Sequence, residues 1–247
     1  MFNSSNWFKE WFNSPYYHKL YFEHDEQEAS AFMTRLLGKL KPAEHAKLLD
    51  VACGRGRHAK FLASKGFDVT GIDLAPDSIA IAREQENGHL QFFEHDMRLP
   101  FWINYFDYAF NLFTSFGYFR TEREHYNAIR TIAGSLVHKG TLVIDYLNVH
   151  FAEDHLVHKQ EKVIDDVTYY LTKWFDETHF YKKIEIEDEA LEAPLEYTEK
   201  VAKFSLGDFN DMFAFYDLQL KEVYGDYNLN GYDIKQSPRM IMIAEKN

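Results

Sequence analysis

Within nine residues, Asp50-Val51-Ala52-Cys53-Gly54-Arg55-Gly56-Arg57-His58 sets a carboxylate and two glycines at the end of an apolar run. Glycine lets a backbone approach a ligand at the start of a helix, so this spacing predicts a turn that receives a nucleotide-like cofactor. Gly54, Gly56 and Ala59 also satisfy the G-x-G-x-x-A form of the dinucleotide fingerprint, with Asp73 about twenty residues on to accept ribose hydroxyls. Asp50 is the discordant residue: a dinucleotide fold fills that strand interior with apolar side chains, and a carboxylate there asks for a polar, cationic ligand group. Leu74 follows Asp73 with no basic neighbour, which suits ribose hydroxyls without a 2′-phosphate. In Glu94-His95-Asp96-Met97, Asp96 falls at a third strand end, where it can accept from an adenine amino group.

The elements that must hold these acids follow from periodicity. Ala29, Phe32, Met33, Leu36, Leu37 and Leu40 recur at helical spacing between Glu26 and Leu40. Lys47 to Ala52 reads as a buried strand, the glycine turn follows, and a helix continues to Gly66. The rhythm repeats: strand Asp68 to Asp73, helix Pro76 to Glu86, strand Leu90 to Glu94, strand Tyr105 to Phe113, helix Arg123 to Leu136, strand Gly140 to Tyr146. Strands alternating with helices predict an α/β fold, a Rossmann-like doubly wound, mostly parallel sheet. After Asn148 three extended segments, Lys162 to Phe175, His179 to Ile186 and Glu196 to Phe204, follow without helices and predict a small antiparallel β insertion over 150–204. A helix from Gly207 to Phe215, a strand from Leu218 to Tyr224 and a last strand from Arg239 to Ala244 closing one edge return the chain to the main sheet.

From Leu48 to Tyr118 the chain resembles the class I S-adenosylmethionine-dependent methyltransferase family. The resemblance rests on the glycine motif, Gly71-Ile72-Asp73-Leu74, Asp96, Leu99-Pro100-Phe101 and the strand Phe106 to Asn111, and with the later strands it spans roughly residues 30–150 and 205–247. It implies S-adenosyl-L-methionine as cofactor: Asp50, Ala52, Gly54 and Gly56 at its methionyl part, Asp73 and Leu74 at the ribose, Asp96 and Met97 at the adenine, and Asn111 to Phe113 on the methyl-donating side. It also implies a single methyltransferase domain over 1–247, with an antiparallel last strand and an insertion that shapes the acceptor pocket. The sister reaction on this fold, aminopropyl transfer, places an acid where this chain has Asn111.

Methyl transfer from a sulfonium is an in-line displacement, so holding the acceptor near the methyl group in a dry site is the main task, and no nucleophile on the protein is required. An oxygen acceptor or a protonated amine needs a base, and His18, His58, His150 and Asp145 are the candidates near strand ends. Tyr17 and Tyr21, within an aromatic segment over 1–25 that also holds Tyr16, His18 and Phe22, are expected to form a lid over the acceptor. Ser115, Phe116 and Tyr118 after the fourth strand, and Asn148 after the fifth, are further acceptor-site candidates, because loops at strand carboxyl ends line the cleft. His150, Glu153, Asp154, His155 and His158 have metal-ligand types at helical spacing, but a polar helix start explains them, and no metal is expected.

The 247 residues carry a formal net charge of −12, which repels phosphate backbones and anionic lipid, so neither nucleic acid nor a membrane is an expected partner. One cysteine, Cys53, precludes an intrachain disulfide and suits the cytoplasm. The N-terminal stretch is interrupted by Lys9, Glu10 and Lys19, unlike a signal peptide or a span. Aromatic residues make up 17% of the chain, enough for either an aromatic-walled pocket or a ring-rich core. The expected activity is methyl transfer to a nitrogen or oxygen of a small molecule. A non-catalytic S-adenosylmethionine-binding module and an NAD-dependent oxidoreductase are the rival readings, and the insertion offers a strand edge through which a homodimer can form.

Overall fold

A computed structural model describes residues 7–22 and 26–247. Two short helices, α1 (Trp7–Phe12) and α2 (Pro15–Phe22), precede α3 (Glu26–Leu40). The alternating part then runs β1 (Lys47–Val51), α4 (Arg57–Ser64), β2 (Asp68–Asp73), α5 (Pro76–Arg83), β3 (Leu90–Glu94), β4 (Phe106–Asn111), α6 (Glu122–Ser135) and β5 (Leu136–Leu147). A short helix α7 (Val149–Asp154) leads into β6 (Lys159–Ile164), β7 (Val167–Phe175), β8 (His179–Asp188) and β9 (Leu195–Ala202). The chain ends with α8 (Leu206–Phe215), β10 (Leu218–Tyr224) and β11 (Arg239–Lys246).

Seven strands form one sheet in the order β10-β11-β5-β4-β1-β2-β3. β1 through β5 pair in parallel, whereas β11 runs antiparallel to both β5 and β10. The last strand therefore does not close the edge as the sequence order suggested: β11 slots between β5 and β10, and β10 is the edge. Helices cover both faces. Phe32, Met33 and Leu36 of α3 pack with Ala59 and Leu62 of α4 and Ile79 and Ala82 of α5 on one face, and the apolar stripes of α6 and α8 fill the other. α6 and α8 each start in a capping box, Thr121 with Glu124 and Ser205 with Asp208, which satisfies otherwise orphaned first-turn N–H groups.

The four remaining strands form a separate antiparallel sheet, β6-β7-β8-β9. The segment read as one strand over Lys162–Phe175 is two, because the chain reverses at Asp165-Asp166, with Ile164 paired to Val167. One face of this sheet is apolar, with Val167, Tyr169, Leu171, Ile184 and Ile186 buried, and Trp11 and Leu20 of α1 and α2 pack onto it. The aromatic N-terminal segment thus has regular structure that the sequence did not announce; residues 1–6 and 23–25 of it lie outside the described part. No helix among the described residues is long and apolar enough to cross a membrane.

Candidate functional site

A cleft of about 1600 Å³ opens at the carboxyl ends of β1, β2 and β4 and extends beneath α1 and α2 to the inserted sheet. At its floor Ala52, the first residue beyond β1, adopts a left-handed φ of 61°, and Gly54 follows at 55°. A non-glycine residue in that region is strained, and such strain collects where backbone is shaped around a ligand. A side chain at Gly54 would meet nothing within 4 Å, so the glycine leaves open space on the cleft wall. Asp50, on the same wall, is 2% exposed. It accepts from the Ala59 backbone N–H in the first turn of α4, while its Oδ2 has no hydrogen-bond partner. Burial, reinforced by the nearby Asp73 charge, pushes the carboxyl up to about 7.

Asp73 accepts from the N–H groups of Gly54 at 2.7 Å and Ala75 at 2.8 Å, so it ties the glycine turn to the end of β2 while facing the cleft beside Leu74. Asp96 and Met97 line the cleft beyond β3. The Asp96 carboxylate has a partner that sequence reasoning missed: Arg98 grips it through Nε and Nη2, with Nη2 2.6 Å away, and reaches Glu124 through Nη1. These contacts hold the carboxyl below its usual range despite partial burial. Two expected cofactor contacts lie off the cleft wall. Gly56 is buried, with φ 78°, where a Cβ would run into the Phe92 ring at 2.4 Å, so it serves helix-to-sheet packing. Asn111 is fully buried and donates to the Val51 carbonyl, which ties β4 to β1.

Phe113 and Thr114, at the end of β4, both have left-handed backbones, at 57° and 59°. Asp145 pins them: its Oδ2 accepts from the Phe113 N–H at 2.8 Å and from the Tyr227 hydroxyl at 3.1 Å, and its carbonyl accepts from the Thr114 N–H. Arg239 donates to Asp145 Oδ1 and to Thr114 Oγ1, both at 2.8 Å. Asp145, 0% exposed and fully engaged, is a strut and not a free base. The Phe113 ring lies in the cleft, stacked on His58 at 5.0 Å. Burial lowers His58 to about 3 and His18 to about 4, and His18 bonds Ser78. Both imidazoles line the cleft in neutral form and are weak proton acceptors.

The far half of the cleft is walled by Tyr17, Tyr21, Ser115 and Tyr118 together with residues of the inserted sheet. Burial raises the three phenols above their ordinary value, so they remain donors at neutral pH. Glu199 of β9 was not visible as a site residue in the sequence, yet it organises this wall. It accepts from Trp11 Nε1 at 2.8 Å and from the Tyr21 hydroxyl at 2.7 Å, and Lys182 of β8 sits 3.6 Å away while also donating to the Tyr21 hydroxyl. Lys173 and Arg239 join the same lining.

Other candidates face elsewhere. Phe116 is fully buried between His125, Phe204 and Phe209. Asn148 is fully buried, caps α7 and donates to the carbonyls of Ile234 and Ser237. His150 is exposed and outside the cleft. Of its acidic and imidazole neighbours, Glu153 pairs with Lys203, His155 stacks on Phe151 and His158 bonds the Lys173 carbonyl. A strand end predicts that a residue is near the cleft; which way it points depends on packing that a single sequence does not display.

Comparison with known proteins agrees with this layout. A family model described as a methyltransferase domain matches residues 48–140, the stretch that holds the glycine turn and all three acids. The chain is 29% identical over 181 residues to an uncharacterized methyltransferase of Staphylococcus carnosus (strain TM300), covering 72% of this chain and 78% of that one. It is 31% identical over 121 residues to a dTDP-3-amino-3,6-dideoxy-alpha-D-glucopyranose N,N-dimethyltransferase of Streptomyces fradiae, covering 49% and 47%. In relatives from Bacillus subtilis (strain 168) and Geobacillus sp. (strain WCH70) the match spans 42% and 60% of their length. A crystal structure of an S-adenosylmethionine-dependent methyltransferase from Clostridium acetobutylicum ATCC 824 superposes with a TM-score of 0.78 at 15% identity, over 94% of this chain and 96% of that one. Residues 48–140 thus match a methyltransferase domain, and the whole chain has the fold of S-adenosylmethionine-dependent methyltransferases.

Proposed function

We propose that this chain transfers a methyl group from S-adenosylmethionine to a nitrogen or oxygen of a small molecule held between Tyr17, Tyr21, Tyr118 and the inserted sheet. The carrying observation is one cleft that joins the three acids of the glycine-turn half to a walled, aromatic second half. A module that only bound the cofactor would have no need of the second half. The residues present fit the cofactor: the unpartnered Asp50 Oδ2 suits its ammonium group, the open wall at Gly54 its methionyl chain, Asp73 its ribose, and Asp96 with Met97 its adenine. When bound, it supplies an electrophilic methyl on a sulfonium.

The protein's own contribution is positional. The Asp145–Arg239 strut fixes the Phe113–Thr114 corner, α1 and α2 roof the cleft against water, and the tyrosine rings wall the space in which the acceptor is held. With His18 and His58 depressed to about 4 and 3, catalysis runs by proximity on an acceptor whose reacting atom arrives unprotonated. The Streptomyces fradiae relative, whose name is that of an amino-sugar N,N-dimethyltransferase, favours an amine as that acceptor.

Calorimetric titration with S-adenosylhomocysteine and, separately, with NADH tests the cofactor. Saturable binding of the first alone is expected. Asp73→Ala should weaken it by roughly 10- to 100-fold, the loss of hydrogen bonds to a charged acceptor. Binding of NADH alone, or unchanged affinity in Asp73→Ala, would overturn the assignment.

A further inference from the structure

Strand register in the inserted sheet places Lys173 of β7 directly opposite Lys182 of β8, and Lys182 directly opposite Glu199 of β9. All three line the far half of the cleft. They lie at the cleft end of the face that otherwise buries Tyr169, Leu171 and Ile184 under α1 and α2, because side chains two apart share a face. Like charges directly opposed across an antiparallel pair are destabilising, and more so when withdrawn from water. Lys182 is only 18% exposed, and burial lowers both lysines below the usual ammonium range.

The wall does not neutralise itself. Glu199 is the carboxylate that acts on both lysines, and it already accepts from Trp11 and Tyr21. Lys162 of β6 adds a third positive charge that bears on both. Lys182 at least has Glu199 and the Tyr21 hydroxyl; the Lys173 ammonium makes no hydrogen bond or ion pair with any described residue. A chain of net charge −12 therefore directs surplus positive charge into one half-buried wall.

We propose that the methyl acceptor carries an anionic group, a phosphate or a carboxylate, that docks on Lys173 and Lys182 at the inserted-sheet end of the cleft. The anion supplies the negative charge that the register leaves missing, and it holds the far end of the acceptor while the reacting atom faces the glycine-turn half. This inference rests on the reading of the far half as the acceptor site, and its test separates the two.

The full chain, loaded with S-adenosylhomocysteine, is titrated calorimetrically at low ionic strength with sodium pyrophosphate and, separately, with sodium acetate. Wild type, Lys173→Gln and Lys221→Gln are compared, the last removing an equal charge from a lysine that pairs with Glu245 outside the cleft. Saturable binding of pyrophosphate points to a phosphate, and of acetate to a carboxylate. Either should weaken by about ten-fold or more in Lys173→Gln and hold in Lys221→Gln, as loss of a charge-assisted contact requires. Absence of saturable binding by both probes, or equal affinity in Lys173→Gln, overturns the proposal. S-adenosylhomocysteine affinity should be the same in all three proteins; failure of that ligand to bind at all overturns the cofactor reading instead.

Discussion

Asp50 ionises only at about 7 in the folded chain, well above an ordinary aspartate, because its carboxylate is buried with one oxygen unpartnered. Between roughly pH 4 and 7 the folded protein thus holds a proton that the unfolded chain has released, and stability from this group falls as pH rises through that window. Asp50→Asn removes the effect, so the cofactor-free variant should be more stable at pH 8 by about 2–4 kcal/mol, read as a higher midpoint in thermal or urea unfolding. The same variant should bind S-adenosylhomocysteine roughly 10- to 100-fold more weakly, since the ligand's ammonium loses its counter-charge. Wild-type affinity should rise from pH 6 to pH 8 as Asp50 ionises, and a flat profile would show that this carboxylate does not face the ammonium. Residue type and position at a strand end were enough to single out Asp50, Asp73 and Asp96; their partners, Ala59, Gly54 and Arg98, depend on how the turns close in space.

The inserted sheet and the two N-terminal helices meet through the Trp11–Glu199–Tyr21–Lys182 cluster. Glu199→Gln leaves Lys182 buried without its counter-ion and should cost about 3–5 kcal/mol in equilibrium unfolding. A double variant, Glu199→Gln with Lys182→Met, should recover most of that loss; a double variant no better than the single would mean that the carboxylate acts mainly through Trp11 and Tyr21. Alternation of strand and helix was legible because each segment carries its own period, and α3, β2, β3 and β10 have the bounds that the pattern implies. Other features were not local. The turn at Asp165-Asp166 was hidden because no glycine or proline marks it. α1 and α2 are too short to announce themselves without the surface they dock on. Lys173, Lys182 and Glu199 become a site only through register, which aligns positions far apart in the chain. Phe116 and Asn148 looked like cleft residues by position alone, and packing turned both inward.

At the scale of the molecule, the alternating sheet provides the glycine-turn half of the cleft, and the insertion with the N-terminal helices provides the rest. The bond from Trp11 to Glu199 spans 188 residues of sequence. At about 5–20 residues per second, a ribosome takes roughly 10–40 s to travel that distance. Trp11 therefore emerges long before the strand that receives it, while β1, β2 and β3 can pair as they appear. On refolding from denaturant, the fluorescence change that a Trp11→Phe variant lacks should belong to the slowest phase, behind formation of the main sheet. The roof of the cleft is thus made before either sheet it spans and can be installed only after both, and until then its aromatic face has nothing to pack on.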